Sequence, residues 1–295
     1  MNEPSPKHFY VINSIAGGTE KDFFSNWLED LHRNYGIHHE VYYTKGEQDE
    51  PKIEKIINEY QPDLVVAAGG DGTVNQVAQL LLGSDIPLAI VPLGSGNGLS
   101  KDIGIPQNDP EEPLKLTVKP KAVFIDSLTA NGYFFMHLCD VGFNAHIVRL
   151  FNKGESRGLL SYLKFTLKEY FKYDTFRYEI ESDNGGSKGH AFMITVANSR
   201  QYGSNLTINP EGNFNDGKFE IVIIKRFPQR KIFAIFWKLL RKKINISPYS
   251  KVISCSEATI RTRKNKTLQA DGEIIGRVNQ VDIRIQKKNL RIVSA

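Results

Sequence analysis

The residue types and spacings that offer chemistry lie first in three glycine-rich turns: NSIAGG at 13–18, GGDGTVNQV at 69–77 and GSGNGLS at 94–100. Each can present backbone N–H groups without side-chain obstruction, and the second and third lead into helical stretches whose N-termini favour anions. That is the physics of a phosphate cradle. None is a Walker A loop, because no Gly-Lys-Ser/Thr follows, and the third turn lacks the last glycine of GxGxxG. A single turn of this kind has a plain alternative, since glycine is the usual way to make a tight strand-to-helix turn. Three of them in one sheet favour a ligand. Asp71 is the one acid inside these turns. It either orients Mg²⁺, directly or through water, near a transferred phosphate, or N-caps the helix after GDGT.

The elements that must position these turns read as two domains. From residue 8 to about 105, HFYVI, IHHEVYY, DLVVAA and PLAIV have the texture of strands. Thr19–Tyr35 and Glu50–Tyr60 carry apolar residues at helical spacing, with Thr19 and Asp22 resembling an N-capping pair. Strand, helix, strand, helix implies parallel strands with crossover helices, and a ligand crevice at the strands' carboxyl ends. The stretch PQNDPEEPLKLTVKP at 106–120 suits a surface connection. Beyond it the alternation has period two. KAVFIDSLTA, the pair Asn131-Gly132 and YFFMHL predict a hairpin with a type I′ turn. Further strands are expected at 175–182, 191–198, 218–225, 258–263 and 281–286, with helices at 158–173 and 229–243. The fold class is therefore an α/β N-terminal domain at 1–122 followed by a mainly antiparallel β domain at 123–287 with helical insertions.

Composition narrows the class. The chain has 295 residues, 40% apolar and 24% charged, which excludes a disordered or collagen-like chain. Cys139 and Cys255 lie far apart with no CxxC pair, so neither a disulfide scaffold nor structural zinc is expected. No apolar run approaches the ~20 residues of a membrane span, and MNEPSPKHFYVI has charge and proline where a signal peptide needs an apolar stretch. A cytoplasmic protein is the expectation. The net charge is +5, and residues 225–244 alone contribute +8, so the remainder sums to −3. That segment, KRFPQRKIFAIFWKLLRKKI, reads as a basic amphipathic helix. It suits peripheral binding to an anionic membrane, or else packs its apolar face on the β domain. No nucleic-acid-binding motif accompanies it.

GGDGTVNQV followed by VPLGSGNGLSKDIGIP resembles the diacylglycerol kinase catalytic-domain family of bacterial lipid kinases, diacylglycerol kinases and sphingosine kinases. The resemblance extends to NSIAGG, INPEGNFNDGKFEIV and QADGEIIG, nearly the whole chain. It implies an ATP- and Mg²⁺-dependent lipid kinase of lipid and phospholipid metabolism, with the acceptor lipid entering between the domains and the last strand, about 288–295, returning to the first. On it, the ATP site comprises Asn13, Ser14, Ile15, Ala16, Gly17 and Thr44, then Gly69, Gly70, Asp71, Gly72, Thr73 and Asn75, then Ser95, Gly96 and Asn97. The general base is Glu273 of Asp271-Gly272-Glu273, which the residues alone would make a plain turn. Asp216 becomes a structural Mg²⁺ ligand, with Asn213 and the Lys218 carbonyl as further candidates; the alternative is an Asp-Gly hairpin turn. The sequence departs from the family at Gly98 and Asn144, where relatives carry acids, and Asp140 is expected to lend a charge near the acceptor. A diacylglycerol-type acceptor is the first expectation and a sphingoid base or other long-chain alcohol the second. NAD kinase, and a nucleotide- or lipid-binding protein without catalysis, are the rivals.

Overall fold

The computed structural model describes residues 5–13, 21–94, 96–153, 159–198, 201–202, 206–207, 209, 212–228, 231 and 248–295. They form two compact units, residues 1–125 with 288–295, and residues 126–287.

In the first unit β1 (Lys7–Ile12), β2 (His38–Tyr43), β3 (Leu64–Gly69) and β4 (Leu88–Pro92) pair in parallel in the order β4-β3-β1-β2. Helices α1 (Lys21–Tyr35), α2 (Glu50–Tyr60) and α3 (Asp71–Leu80) are the crossovers. All six residues of β3 are buried, the pattern of a parallel strand covered on both faces. Phe24, Leu28 and Leu31 of α1 repeat at helical spacing and pack with Tyr10, Val66 and Val91 in one core. A fifth strand is supplied by the end of β16 (Glu273–Val293), where Ile292 pairs in parallel with Leu88.

The stretch expected as a surface connection is more ordered than its proline and acid suggest. After α4 (Gly98–Asp102), residues Glu111–Val118 form α5. Glu111 and Glu112 occupy its first turn, where the helix dipole favours acids, and Leu114 is fully buried in the core. That apolar anchor decides the conformation.

The second unit contains β5 (Ala122–Ala130, its first residues in the first unit), β6 (Tyr133–Phe135), β7 (Leu138–Gly142), α6 (Phe143–Lys153), α7 (Leu159–Tyr170), β8 (Phe176–Ser182), β9 (Gly185–Ala191) and β10 (Met193–Ala197). Short β11 (Gln201–Tyr202) and β12 (Leu206–Thr207), then β13 (Phe219–Ile224), β14 (Ser250–Cys255) and β15 (Glu257–Ala270) lead into β16. The antiparallel order is β14-β13-β10-β7-β15-β16, with β8 also on β15 and β9 on β8. Asn131 and Gly132 both have positive φ, 51° and 85°, and Ala130 faces Tyr133, as the type I′ expectation requires.

Three expectations change. YFFMHL is two strands rather than one, because the N–H groups of Met136 and His137 turn to the Asp271 carboxylate instead of a ladder. Strands β9 and β14 and helix α6 are additions to the expected elements. The strands expected at 258–263 and 281–286 are parts of β15 and β16, whose charged residues face outward. The expected helix at 229–243 lies outside the described residues apart from Lys231. Among the described residues no helix is long and apolar enough to cross a membrane.

Candidate active site

In the first unit the register lines up the carboxyl ends of the parallel strands. Ile12 is opposite both Tyr43 and Ala68, and Gly69 is opposite Pro92. The ladder continues one residue further through Asn13 N–H to the Ala68 carbonyl, Thr44 N–H to Ile12 and Leu93 N–H to Gly69, at 2.8, 2.9 and 2.9 Å. This edge carries the two described glycine turns. They approach so closely that a Cβ on Gly94 would lie 2.6 Å from the Gly70 Cα, and one on Gly96 2.8 Å from the Asp71 Oδ2. At Gly94, which would meet backbone, only glycine permits that approach.

Asp71 opens α3, but Gly70 is the N-cap residue and no side chain among the described residues caps this helix. The Asp71 Oδ1 instead accepts the Gly98 N–H at 2.9 Å. Of its two sequence readings, capping is therefore not realised; the carboxylate ties the second turn to the third. Gly98 contributes this backbone donor. Asn97 adopts φ +52° and donates through Nδ2 to the Gly94 carbonyl at 2.6 Å, and the Lys101 Nζ donates to the Gly96 carbonyl at 2.5 Å. The Oδ1 atoms of Asn75 and Asn97 are buried with no hydrogen-bond partner among the described residues. Buried acceptors left unpaired are costly, and they mark where donors of a ligand or its water would be received.

Asn13 donates through Nδ2 to the Thr73 Oγ1 at 3.3 Å. Thr44 is buried at the start of a loop organised by Asp49, whose carboxylate accepts the N–H groups of Lys45 and Gly46 and the Tyr42 hydroxyl. Burial would push the Asp49 carboxyl up, but these donors outweigh it and hold it below the usual carboxylate range. Asn13, Thr44, Gly69, Gly70, Asp71, Gly72, Thr73, Asn75, Gly96 and Asn97 thus share one edge of the unit. Ser14, Ile15, Ala16, Gly17 and Ser95 lie outside the described residues.

In the second unit Asp271 and Gly272 form the two-residue turn between β15 and β16, with φ of 46° and 91° and Ala270 opposite Glu273. The turn is held from one side by Asp271, whose carboxylate accepts the N–H groups of Met136, His137 and Leu138 at 2.8, 3.1 and 2.8 Å. Burial pushes the Asp271 carboxyl above its ordinary value, against the opposing pull of His137 and these N–H groups. Glu273, next in sequence, is exposed. An anchored turn ending in an exposed carboxylate is a suitable mount for a proton acceptor.

Asp216 stands in an exposed turn. Its Oδ1 accepts the Lys218 N–H at 3.0 Å, closing the turn locally. Asn213 and Lys218 are exposed beside it in sequence. Among the described residues no group of three or more His, Cys, Asp or Glu could hold a metal. One carboxylate with carbonyl and water oxygens is nevertheless a donor set that suits Mg²⁺, which keeps most of its waters.

Sequence reasoning missed two buried acids or their surroundings. Asp126, within the apolar run of β5, accepts the Gly217 N–H at 2.7 Å, and its own N–H donates to the Phe214 carbonyl at 2.5 Å. It pins the NDG turn from below. The available signal was a lone acid in an otherwise inward-facing strand. Asp140 is fully buried and accepts from the Asn144 Nδ2, the Thr195 Oγ1 and the Gln269 Nε2, so it offers no charge to an acceptor lipid.

Residues 7–130 match the diacylglycerol kinase catalytic domain, and residues 138–294 match the YegS C-terminal NAD kinase beta sandwich-like domain. The chain belongs to the diacylglycerol kinase catalytic-domain family, in its YegS-like branch of lipid kinases. It is similar to a YegS-like lipid kinase of Pectobacterium atrosepticum, 29% identical over 75% of each chain. A YegS-like lipid kinase of Klebsiella pneumoniae is 31% identical over 66% of this chain and 67% of its own. The crystal structure of a diacylglycerol kinase from Bacillus anthracis superimposes with a TM-score of 0.76 at 21% identity, covering 100% of this chain and 98% of that one. That likeness shows the fold. A kinase of this family uses ATP.

Proposed function

We propose that this kinase transfers the γ-phosphate of ATP to the hydroxyl of a diacylglycerol-type lipid. The observation that carries the reading is the glycine cradle of the first unit. Two turns in near contact, a carboxylate bridging them and two buried amide oxygens without a partner among the described residues make a polar arrangement of the kind that receives phosphates and their counter-ion. Backbone N–H groups and the N-terminus of α3 take the phosphates. Asn13, Thr44, Thr73 and Asn75 line the same edge and hold the remainder of the nucleotide. Asp71 would hold an Mg²⁺ brought with ATP, which would supply charge neutralisation to the transferring phosphoryl group. Asp216, with Asn213 and Lys218, is the second place we assign to Mg²⁺, in a structural role.

Glu273 accepts the proton of the lipid hydroxyl as its oxygen attacks phosphorus. Without an acceptor the attacking oxygen would retain a positive charge, which is why a positioned carboxylate contributes about 10²- to 10⁴-fold. Residues 225–244, with their eight basic side chains, bring the enzyme to an anionic membrane where the acceptor resides. A sphingoid base or other long-chain alcohol is the second acceptor reading, favoured by Gly98.

Purified protein incubated with labelled ATP, Mg²⁺ and vesicles containing diacylglycerol, a sphingoid base or another long-chain alcohol, with NAD in parallel, tests this. The expected outcome is label in the diacylglycerol fraction, faster on anionic than on neutral vesicles. Label in NAD alone, or in nothing, contradicts it.

A further inference from the structure

The turn that carries Glu273 is held from a second side by a row of three side chains that cross the sheet of the second unit. Thr195 on β10 faces Asp140 on β7, and Asp140 faces Gln269 on β15; both are register partners of antiparallel strands. Residues directly opposite in this way have side chains in reach of one another. The Thr195 Oγ1 donates to the Asp140 Oδ1 at 2.5 Å, and the Gln269 Nε2 donates to the Asp140 Oδ2 at 2.5 Å. Asn144, the second residue of α6, adds its Nδ2 to the same Oδ2 at 2.6 Å. The row ends at the turn itself, where the Gln269 Oε1 accepts the Gly272 N–H at 2.8 Å.

The chemistry of Asp140 gives the row a direction. Both oxygens of Asp140 act as acceptors, Oδ2 for the Gln269 amide, so Gln269 presents its NH₂ to Asp140 and its oxygen to Gly272. A residue at 140 that both donates and accepts would let the Gln269 amide turn over, placing a donor against the Gly272 donor. The strand geometry points to the same place. The pairing of β15 with β16 shifts register between Leu268 and Gln269, where Gln269 faces Ile274 and Leu268 faces Gly276. Such a bulge leaves one strand a residue longer and re-aims the residues beyond it, so the turn needs lateral fixing. Gln269 is 3% exposed and Asp140 fully buried, so both bonds are shielded from water.

We propose that Gln269, oriented by Asp140, is a positioning residue that fixes the aim of the Glu273 carboxylate. This rests on the reading of Glu273 as the proton acceptor. A displacement of about 1 Å in a reacting group costs up to about 100-fold, which sets the scale of the effect.

The test is a double-mutant cycle on turnover, with Glu273→Gln, Gln269→Met and both together. We expect Gln269→Met to lower kcat by about 10- to 100-fold with the KM for ATP within about twofold. We expect the double variant to be no slower than Glu273→Gln alone, because residues that act through one group are not additive. A merely structural role predicts instead that the two losses multiply. If Glu273→Gln is slow while Gln269→Met turns over like wild type, or if the losses multiply, the positioning role is overturned and the proton acceptor stands. If Glu273→Gln turns over like wild type, both fall. Should Gln269→Met lose its thermal transition, Asp140→Asn enters the same cycle. It keeps the volume and one acceptor but no longer dictates the orientation of Gln269. Its kcat is expected to fall by a smaller factor, again non-additive with Glu273→Gln, and multiplying losses there overturn the proposal equally.

Discussion

At the scale of single residues, the cradle depends on two absent side chains. Asp71 reaches the Gly98 N–H only because the chain between Gly94 and Gly98 lies against the second turn, where Gly96 leaves the second carboxylate oxygen unobstructed. A Gly96→Ala substitution places a methyl 2.8 Å from that oxygen. The carboxylate must turn aside or the turn must open, and either change disturbs the proposed phosphate site. The expected result is a rise of about tenfold or more in the KM for ATP, with thermal stability changed little, since surface turns contribute modestly. Steady-state kinetics at saturating lipid read this directly. An unchanged KM would show that the nucleotide does not use this turn. The role of Asp71 itself was open in the sequence, because Asp before a helix caps as readily as it holds a cation. Only the position of a donor 27 residues later separates the two readings.

At the scale of elements, β1 carries a titratable group that couples pH to the stability of the first unit. His8 is 3% exposed, with its Nδ1 3.3 Å from the Tyr10 hydroxyl. Burial lowers its imidazole to about 4, Asp63 pulling the other way and His39 pushing it down further. The unfolded chain protonates near 6.5. With the folded value depressed, the stabilisation is fully present above pH 6.5 and is lost as pH falls toward 4. The span corresponds to about 3 kcal/mol at most. Urea unfolding of the wild type and a His8→Phe variant at about pH 7 and about pH 4.5 is expected to show a smaller acid loss in the variant. Equal losses would mean that His8 does not titrate on unfolding. Element boundaries in this half were legible because burial on both faces leaves near-continuous apolar strands, as in LVVAA. The second half was less so. GGSKGHA forms β9 by pairing with β8, not through its own alternation, and β15 and β16 run through lysines and arginines whose outward face is free to be charged. Helix α5 was hidden because its fold depends on burying Leu114, a tertiary fact.

At the scale of the whole molecule, the proposed function assigns the two units different parts of the phosphate transfer. One supplies a sheet edge of glycine turns, asparagines and one aspartate; the other supplies a rigid antiparallel sheet with an exposed carboxylate at one of its turns. The proximity of the second and third turns was suggested by their place after consecutive parallel strands. The placement of Glu273 was not, because its anchors, Asp271 on residues 136–138 and Gln269 on Asp140, are made across strands more than a hundred residues apart. Resemblance to a family drew attention to that glutamate, and the physical reason for its placement appears only in the folded sheet. The measurement that bears most directly on the account is the initial rate of phosphate transfer from labelled ATP to diacylglycerol by wild type and Glu273→Gln, with ATP binding measured on both. ATP binding is expected to be unchanged and the rate lower by about 10²- to 10⁴-fold in the variant. A variant that binds ATP and phosphorylates diacylglycerol at the wild-type rate would contradict that expectation.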